Sequence, residues 1–216
     1  MIAIIFDIDG TLVQSSGFDK DFARETVIDI LGLMTIRPNL DYEHGTDSGI
    51  LSQIMEDNNI KDPSALGKIR TQFGQRIQTY LEDGGQCDPV DGGLKLLRFL
   101  DINHDIKIGF ATGGWGHTAK LKLKYAGYET VETPFASCDN SHKREEIMTT
   151  CLAQMGDDFE TIVYVGDGEW DRTATHNLGW HFIGIGPDLE SKCDHWLPDF
   201  SDLDSFFEMI PRFKQL

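Results

Sequence analysis

Short apolar runs and helically spaced apolar stripes divide this chain into predicted strands and helices. The first run is 2–6, and its length is typical of a strand buried on both faces in a parallel sheet. Similar runs predict strands at 106–111, 134–137, 161–165, 182–185 and, at an edge of the sheet, 195–197. Helical spacing predicts helices at 18–33, ended by Gly32 and Pro38, and at 46–58, 62–83, 94–100, 141–155 and 202–210.

The segment 120–125 fits two patterns. Lys and apolar residues alternate along it as in a half-buried strand, but Ala119, Leu123 and Ala126 lie on one helical stripe. Parallel strands need a crossover connection here, and we therefore predict a helix.

Strands and helices alternate through most of the chain, which predicts an α/β fold with a parallel sheet. Only helices are predicted between 15 and 85, before the alternation resumes at Asp91. We expect this insert to be a helical cap domain (15–85) over the functional edge of the sheet. Residues 1–14 and 86–216 then form the core domain. A peripheral helical bundle with no role at the site is the alternative.

The composition is that of an ordinary globular protein with a large acidic excess. Of 216 residues 40% are hydrophobic and 25% are charged, and 19 basic residues against 36 acidic ones give a net charge of −17. This charge argues against nucleic acid or an anionic membrane as a partner. A phosphate substrate would require a divalent cation to neutralise an acidic site.

Cysteine spacing and the amino-terminal sequence predict a cytoplasmic protein. The four cysteines show no zinc-binding spacing, which is typical of reduced, buried thiols. The start lacks the basic region of a signal peptide, and no apolar stretch is long enough to span a membrane.

Two carboxylates, Asp7 and Asp9, directly follow the first predicted strand. Open α/β sheets place their ligands at this end of the strands. An aspartate can attack phosphorus, and a second carboxylic acid can move protons for the leaving group. A turn capped by the two side chains is the alternative.

Two later turns carry groups that can bind phosphate. The hydroxyl of Thr112 and the amides of Gly113 and Gly114 can donate hydrogen bonds to phosphate oxygens, although an ordinary turn would have the same sequence. A cation at Lys143 or Arg144 can neutralise the phosphate and keep a carboxylate ionised. Solvated surface is the alternative for this basic pair.

The strand at 161–165 runs into a second pair of acids, Asp167 and Asp171. Oxygen ligands at this spacing suit Mg²⁺, which binds few protein carboxylates and keeps several waters. The alternatives are a helix N-cap for Asp167 and a solvated first-turn acid for Asp171.

These four turns resemble the four motifs of the haloacid dehalogenase superfamily. The segment 7–12, Asp-Ile-Asp-Gly-Thr-Leu, matches every position of its first motif, D-x-D-G-T-[LV]. Thr112, then Lys143 or Arg144, then Asp167 with Asp171 in a G-D-x-x-x-D arrangement are similar to the other three. The chain looks most like the phosphoglycolate phosphatase and β-phosphoglucomutase branch. That branch often has Pro after the basic residue, whereas Arg144 and Glu145 follow Lys143 here, so either base can face the site; Lys143 is slightly favoured.

The resemblance implies a Rossmann-like parallel sheet with helices on both faces, a small helical cap inserted after the first strand, and a Mg²⁺-dependent phosphatase. In such enzymes Asp7 would form an aspartyl-phosphate and Asp9 would serve as acid and then base. Mg²⁺ would be held by Asp7, the Asp9 backbone carbonyl and Asp167, and Asp171 would orient the metal shell or Lys143. The acid at Asp9 disfavours the dehalogenase and phosphonatase branches, which lack it.

The resemblance leaves two alternatives to a phosphatase. They are a β-phosphoglucomutase-like sugar phosphomutase and an inactive binding or regulatory relative. The turn of Gly45, Thr46 and Asp47 resembles one that other capped members use near the substrate, but Thr46 or Asp47 can equally be a helix N-cap. The expected partner is a small phosphorylated metabolite, and neither its identity nor the oligomeric state follows from the sequence.

Overall fold

A computed structural model describes residues 1–32, 35–37, 41–128, 132–156 and 158–211. Within these residues six strands form one parallel sheet in the order β3-β2-β1-β4-β5-β6. The strands are β1 (Ile2–Phe6), β2 (Ile106–Ala111), β3 (Phe135–Ala136), β4 (Thr161–Gly166), β5 (His181–Ile185) and β6 (Trp196–Leu197). The predicted α/β class with a parallel sheet is confirmed.

The first strand lies inside the sheet, between β2 and β4. Ile4 is in register with Ile108 on one side and Val163 on the other. Ala3, Ile4, Ile5 and Phe6 are all fully buried. Because successive side chains of a strand point to opposite faces, both faces of β1 are covered. Its carboxyl end is therefore held rigidly in the middle of the sheet edge.

Eight α-helices join and cover the strands in the described part of the chain. They are α1 (Ser16–Leu31), α2 (Asp47–Asp57), α3 (Ala65–Glu82), α4 (Gly93–Asp101), α5 (Gly116–Tyr125), α6 (Arg144–Met155), α7 (Glu169–Asn177) and α8 (Leu203–Glu208). A short 3₁₀ helix covers Pro187–Leu189. The ambiguous segment 120–125 is helical, as the need for a crossover predicted. Leu33 and Pro38, named at the end of the first predicted helix, lie outside the described residues.

Three helices, α1 to α3, separate β1 from the next strand of the chain. The ring of Phe18 lies 4.7 Å from that of Tyr80, and the ring of Phe22 lies 5.4 Å from it, which packs α1 against α3. The Arg76 guanidinium on α3 pairs with Glu25 and Asp29 on α1. Their treatment as a cap domain, and its boundaries at 15 and 85, stay predictions.

The third helix begins three residues later than its apolar pattern predicts. The backbone N–H of Ser64 donates to the Asp62 carboxylate at 2.8 Å, which forms a local turn around Pro63. The helix therefore begins at Ala65, with Ser64 as its capping residue.

None of the helices in the described ranges combines the length and the apolar character that a membrane span needs. All four cysteines are free thiols, and three of them are buried.

Candidate active site

Asp7 extends β1 by one residue, and its carboxylate is buried at the end of that strand. Its backbone N–H donates to the carbonyl of Val165 at 2.9 Å, which continues the alignment of β1 with β4. The side chain is almost inaccessible to solvent. Burial raises the pKa of Asp7 well above its usual value, and the Arg144 guanidinium opposes that shift. Asp7 is thus a carboxylate whose charge depends on nearby cations.

Arg144 is the base that faces this site. Its Nη1 lies 3.3 Å from Asp7 Oδ1, and its Nη2 lies 3.0 Å from Asp171 Oδ1. Burial opposes its charge, but Asp171 and Asp7 outweigh burial and raise its pKa. Its Nε is buried and makes no hydrogen bond in the described structure. The guanidinium therefore stays charged and links two carboxylates of the site.

The slight preference for Lys143 as the inward base is corrected by the structure. Lys143 Nζ lies 3.5 Å from Glu146 Oε1, and 60% of the Lys143 side chain is exposed. Lys143 is the capping residue before α6 and has extended backbone angles, whereas Arg144 is the first residue of the helix. The change of backbone direction between the two residues sends their side chains to opposite environments.

Asp167 and Asp171 join Asp7 at the carboxyl edge of the sheet. One carboxylate oxygen from each of these three residues lies within 4.8 Å of the others. Asp171 is fully buried, and its Oδ2 accepts from the backbone N–H of Gly168 at 3.2 Å. The alternatives from sequence are therefore wrong in geometry, because Asp171 is not solvated and the capping residue of α7 is Gly168 rather than Asp167.

The three carboxylates fit a divalent cation with oxygen ligands. Burial and the charge of Asp171 raise the pKa of Asp167 to about 7, and burial also raises that of Asp171. Mutual repulsion of this kind disappears when a cation binds between the groups. Asp171 Oδ1 makes no hydrogen bond in the described structure, although it pairs with Arg144.

The predicted phosphate-binding turn lies beside Arg144. A Cβ placed on Gly113 would lie 2.8 Å from Arg144 Nη1, so only a glycine brings the backbone this close to the guanidinium. Thr112 is buried, and its Oγ1 accepts from the backbone N–H of Gly114 at 3.0 Å. The hydroxyl oxygen of Thr112 therefore accepts a hydrogen bond within the turn, and the hydroxyl can still donate its proton to another group.

Asp9 belongs to a second cluster beside the first. Its Oδ1 lies 2.5 Å from Lys122 Nζ on α5, and it also accepts from the Ser15 hydroxyl. Lys122 Nζ lies 3.1 Å from both carboxylate oxygens of Asp19 on α1. Burial raises the pKa of Asp19 to about 6, against the opposing effect of Lys122.

Sequence reasoning missed Lys122. A signal for it existed, because Lys122 follows Ala119 by three residues and precedes Ala126 by four. It therefore lies on the apolar stripe that predicted the helix. A lysine on a buried stripe must find an acidic partner.

The turn before α2 lies against the predicted phosphate-binding turn. Thr46 is the N-cap of α2, since its Oγ1 accepts from the Gly49 N–H at 3.3 Å. The Asp47 N–H donates to the Gly113 carbonyl at 2.8 Å, and its carboxylate accepts from the Trp115 N–H at 3.3 Å. Burial and the charge of Asp19 raise the pKa of Asp47 to about 7.

Gly45 in the same turn packs against Trp170, whose side chain would lie 3.1 Å from a Cβ at that position. The structure therefore brings the turn of Gly45, Thr46 and Asp47 to the edge of the site. Lys143 is a predicted site residue whose side chain instead points to solvent.

The arrangement combines three close carboxylates, a guanidinium beside two of them and a fourth carboxylate paired with a lysine. A phosphate can lie next to the Asp7 carboxylate only if nearby positive charge offsets the repulsion between the two anions. Asp7 can act as a nucleophile, and Asp9 can exchange a proton with a bound molecule.

Comparisons with known proteins find a matching family and a curated relative. A family model described as haloacid dehalogenase-like hydrolase matches residues 1–179. PpaX of Clostridium perfringens, provisionally named a pyrophosphatase, is 22% identical over 187 residues, which are 85% of this chain and 83% of that protein.

Solved structures show the same fold. CbbY from Rhodobacter sphaeroides, crystallised with phosphate, superposes with a TM-score of 0.74 at 18% identity and covers 93% of this chain and 95% of its own. The β-phosphoglucomutase of Clostridium difficile also reaches a TM-score of 0.74 at 18% identity, and 97% of each chain is covered.

Proposed function

Because the chain belongs to the haloacid dehalogenase-like hydrolase family, we propose that it is a Mg²⁺-dependent phosphatase that hydrolyses a small phosphomonoester. The setting of Asp7 is the observation that carries this proposal. Its carboxylate is buried at the end of β1, with the Arg144 guanidinium 3.3 Å away and two further carboxylates in reach. A carboxylate in such a place is of little use to stability, but it suits nucleophilic attack on phosphorus.

The reaction has two steps that use Asp7 and Asp9. First, a carboxylate oxygen of Asp7 attacks the phosphorus, the bond to the leaving oxygen breaks, and Asp9 gives that oxygen a proton. This leaves an aspartyl-phosphate on Asp7. Next, a water oxygen attacks the phosphorus, the bond to Asp7 breaks, and Asp9 accepts a proton from the water. The products are the alcohol and inorganic phosphate, and the protein is restored.

Arg144 and the turn at Thr112 would bind the phosphate oxygens. The guanidinium is fixed by two carboxylates, which orients its donors before substrate arrives. The Thr112 hydroxyl and the Gly113 amide would donate from the neighbouring strand end. Together they hold the phosphorus in front of the Asp7 oxygen.

Asp7, the backbone carbonyl of Asp9 and Asp167 would hold the Mg²⁺, and Asp171 would orient its shell and Arg144. When bound, Mg²⁺ supplies positive charge that offsets the charge of the transferring phosphoryl group. The close oxygens of Asp7, Asp167 and Asp171 support this assignment. The raised pKa of Asp167 supports it too, because these acids repel one another without a cation.

The substrate would be a small phosphorylated metabolite, handled in the cytoplasm. The turn of Gly45, Thr46 and Asp47 lies against the predicted phosphate-binding turn, because the Asp47 N–H donates to the Gly113 carbonyl, and would contact the leaving group of a bound ester. The net charge of −17 disfavours nucleic acid and anionic membranes as partners.

Phosphate release from a panel of phosphomonoesters tests the proposal. The purified protein is assayed with p-nitrophenyl phosphate, phosphoglycolate, sugar phosphates and nucleoside monophosphates, with Mg²⁺ and with a chelator. We expect Mg²⁺-dependent release of phosphate. Conversion of glucose 1-phosphate to glucose 6-phosphate would show a phosphomutase instead. A folded protein that turns over none of these esters would be an inactive relative with a binding role.

A further inference from the structure

Lys122 is a buried cation that the two steps above do not use. We propose that Lys122 is a positioning residue, which fixes the carboxylate of Asp9 for proton transfer and ties it to Asp19 on α1. The inference rests on the proposed function, in which Asp9 is the acid and the base.

The contacts of Lys122 reach three separate segments of the chain. Lys122 lies on α5, Asp9 follows β1, and Asp19 lies in the first turns of α1. Nζ is 2.5 Å from Asp9 Oδ1 and 3.1 Å from each oxygen of Asp19. One ammonium group therefore sets the distance between the proposed acid and the first helix of the predicted cap.

The contacts of Lys122 and Ser15 fix Oδ1 of Asp9, while Oδ2 faces the predicted phosphate-binding turn. Lys122 and the Ser15 hydroxyl both contact Oδ1. A Cβ placed on Gly114 would lie 3.2 Å from Asp9 Oδ2, which shows that Oδ2 faces this turn. A leaving-group oxygen on a phosphate bound at the turn would approach from the same side. The geometry thus assigns Oδ1 to anchoring and Oδ2 to proton transfer.

Burial makes the anchor rigid. Only 1% of the Lys122 side chain is exposed, against 21% for Asp9 and 19% for Asp19. A buried ammonium is stable only when paired, and its removal leaves carboxylates without compensation. Movement of Lys122 away from Asp9 would therefore leave that carboxylate without its cation, and the ion pair with Asp19 also restrains Lys122.

The dependence of the reaction on the leaving group tests this role. Phenyl phosphate has a strongly basic leaving oxygen that needs a proton, whereas p-nitrophenyl phosphate has a weakly basic one that scarcely does. Because kcat/KM covers the steps up to cleavage of the ester, its ratio for the two esters reports proton donation by Asp9. Lys122→Met is compared with Lys124→Met, which removes an exposed lysine of the same helix.

We expect Lys122→Met to lower kcat/KM for phenyl phosphate by about 10- to 100-fold, the cost of a misplaced catalytic group. For p-nitrophenyl phosphate the loss should stay below about 3-fold, since little proton donation is needed. Lys124→Met should leave both values unchanged. In an Asp9→Asn background, Lys122→Met should add no further loss, because a residue that acts through Asp9 has nothing left to position.

A second variant provides the same test if Lys122→Met does not fold. Lys122→Met combined with Asp19→Asn removes one cation and one anion, so the buried charges stay balanced. We expect the same selective loss for phenyl phosphate from this charge-balanced variant. Thermal unfolding of each variant confirms that the protein compared is folded.

Three results would overturn the inference. They are equal losses for both esters, a further loss in the Asp9→Asn background, or full activity in the charge-balanced variant. These leave the proposed function intact if the wild type hydrolyses both esters and Asp9→Asn hydrolyses phenyl phosphate much more slowly than the wild type. A wild-type protein that hydrolyses neither ester would overturn both proposals.

Discussion

Arg144 and Asp171 form an ion pair of 3.0 Å in which both side chains are buried, while the neighbouring Lys143 points to solvent. The two adjacent bases thus have different tasks. Arg144 links Asp171 to Asp7, and Lys143 pairs with Glu146 at the surface.

Replacement of these two bases should give opposite results. Arg144→Met leaves Asp7 and Asp171 buried without their cation, which we expect to lower the free energy of unfolding by about 3–5 kcal/mol. It should also lower kcat with p-nitrophenyl phosphate by about 100-fold or more, because a fixed donor to the phosphate is lost. Denaturant unfolding and steady-state kinetics measure the two effects.

Lys143→Met is the matched control for that change. Its ammonium is exposed, so both the denaturation midpoint and kcat should stay close to those of the wild type. A large loss of activity in Lys143→Met with none in Arg144→Met would contradict the assignment of Arg144.

Gly10 should tolerate no side chain. It has a φ of +83°, and a Cβ on it would lie 2.0 Å from Asp167 Oδ2. Gly10→Ala should therefore cost about 1–3 kcal/mol from backbone strain alone, and it should also displace Asp167 and abolish turnover. Gly67→Ala is the control. Gly67 is exposed in α3 with no atom near its Cβ position, and alanine there should stabilise the protein by up to about 1 kcal/mol. Equal effects of the two substitutions on unfolding would contradict this structure of the site.

Buried acids should make the metal-free protein less stable as pH rises. Burial, reinforced by neighbouring acids, raises the pKa of Asp167 and Asp47 to about 7 and that of Asp19 to about 6. The folded state thus binds more protons than the unfolded chain between about pH 4 and 7, and stability falls across that window. With a chelator present, the thermal midpoint should be higher at pH 5 than at pH 8.

Mg²⁺ should reverse part of that loss. Because the cation needs ionised carboxylates, it should raise the thermal midpoint more at pH 8 than at pH 5. Asp167→Asn should weaken both the pH dependence and the response to Mg²⁺. A midpoint that rises with pH without metal, or a Mg²⁺ effect independent of pH, would contradict the account of the acidic cluster.

Thr46 should matter through its hydroxyl. Its Oγ1 accepts from the Gly49 N–H and donates to the His142 carbonyl at 2.8 Å. Thr46→Ala should lower the free energy of unfolding by about 1 kcal/mol, as loss of an N-cap usually does. Thr46→Ser keeps the hydroxyl and should retain most of the stability. Equal losses in the two variants, measured by denaturant unfolding, would show that packing of the methyl group matters instead.

The strands were predictable because each is an apolar run with polar residues at its end. The strand Ile106–Ala111 coincides with its predicted range, since Asp105 precedes it and the turn of Thr112 follows. Periodicity alone could not settle the segment at 120–125. The need for a crossover between parallel strands decided it, which is information about topology rather than about the segment.

The acids of the site were predictable from their positions at the ends of predicted strands. Asp7 and Asp167 follow buried strands, and the parallel sheet places them together. The choice between Lys143 and Arg144 depends on the backbone direction at the first residue of α6, which adjacent bases in a sequence do not reveal. Lys122 was missed because only apolar residues were counted in the stripe that predicted the helix. Its burial depends on Asp9 and Asp19, which come from two distant segments of the chain.

The site of phosphorylation tests the central claim most directly. The protein is mixed with p-nitrophenyl phosphate and Mg²⁺, quenched in acid, reduced with borohydride and digested, and the modified residue is located by mass spectrometry. An acyl phosphate on Asp7 would be reduced to homoserine at position 7, and Asp7→Asn should show neither this product nor turnover. Modification of another residue, or turnover that survives in Asp7→Asn, would contradict the account.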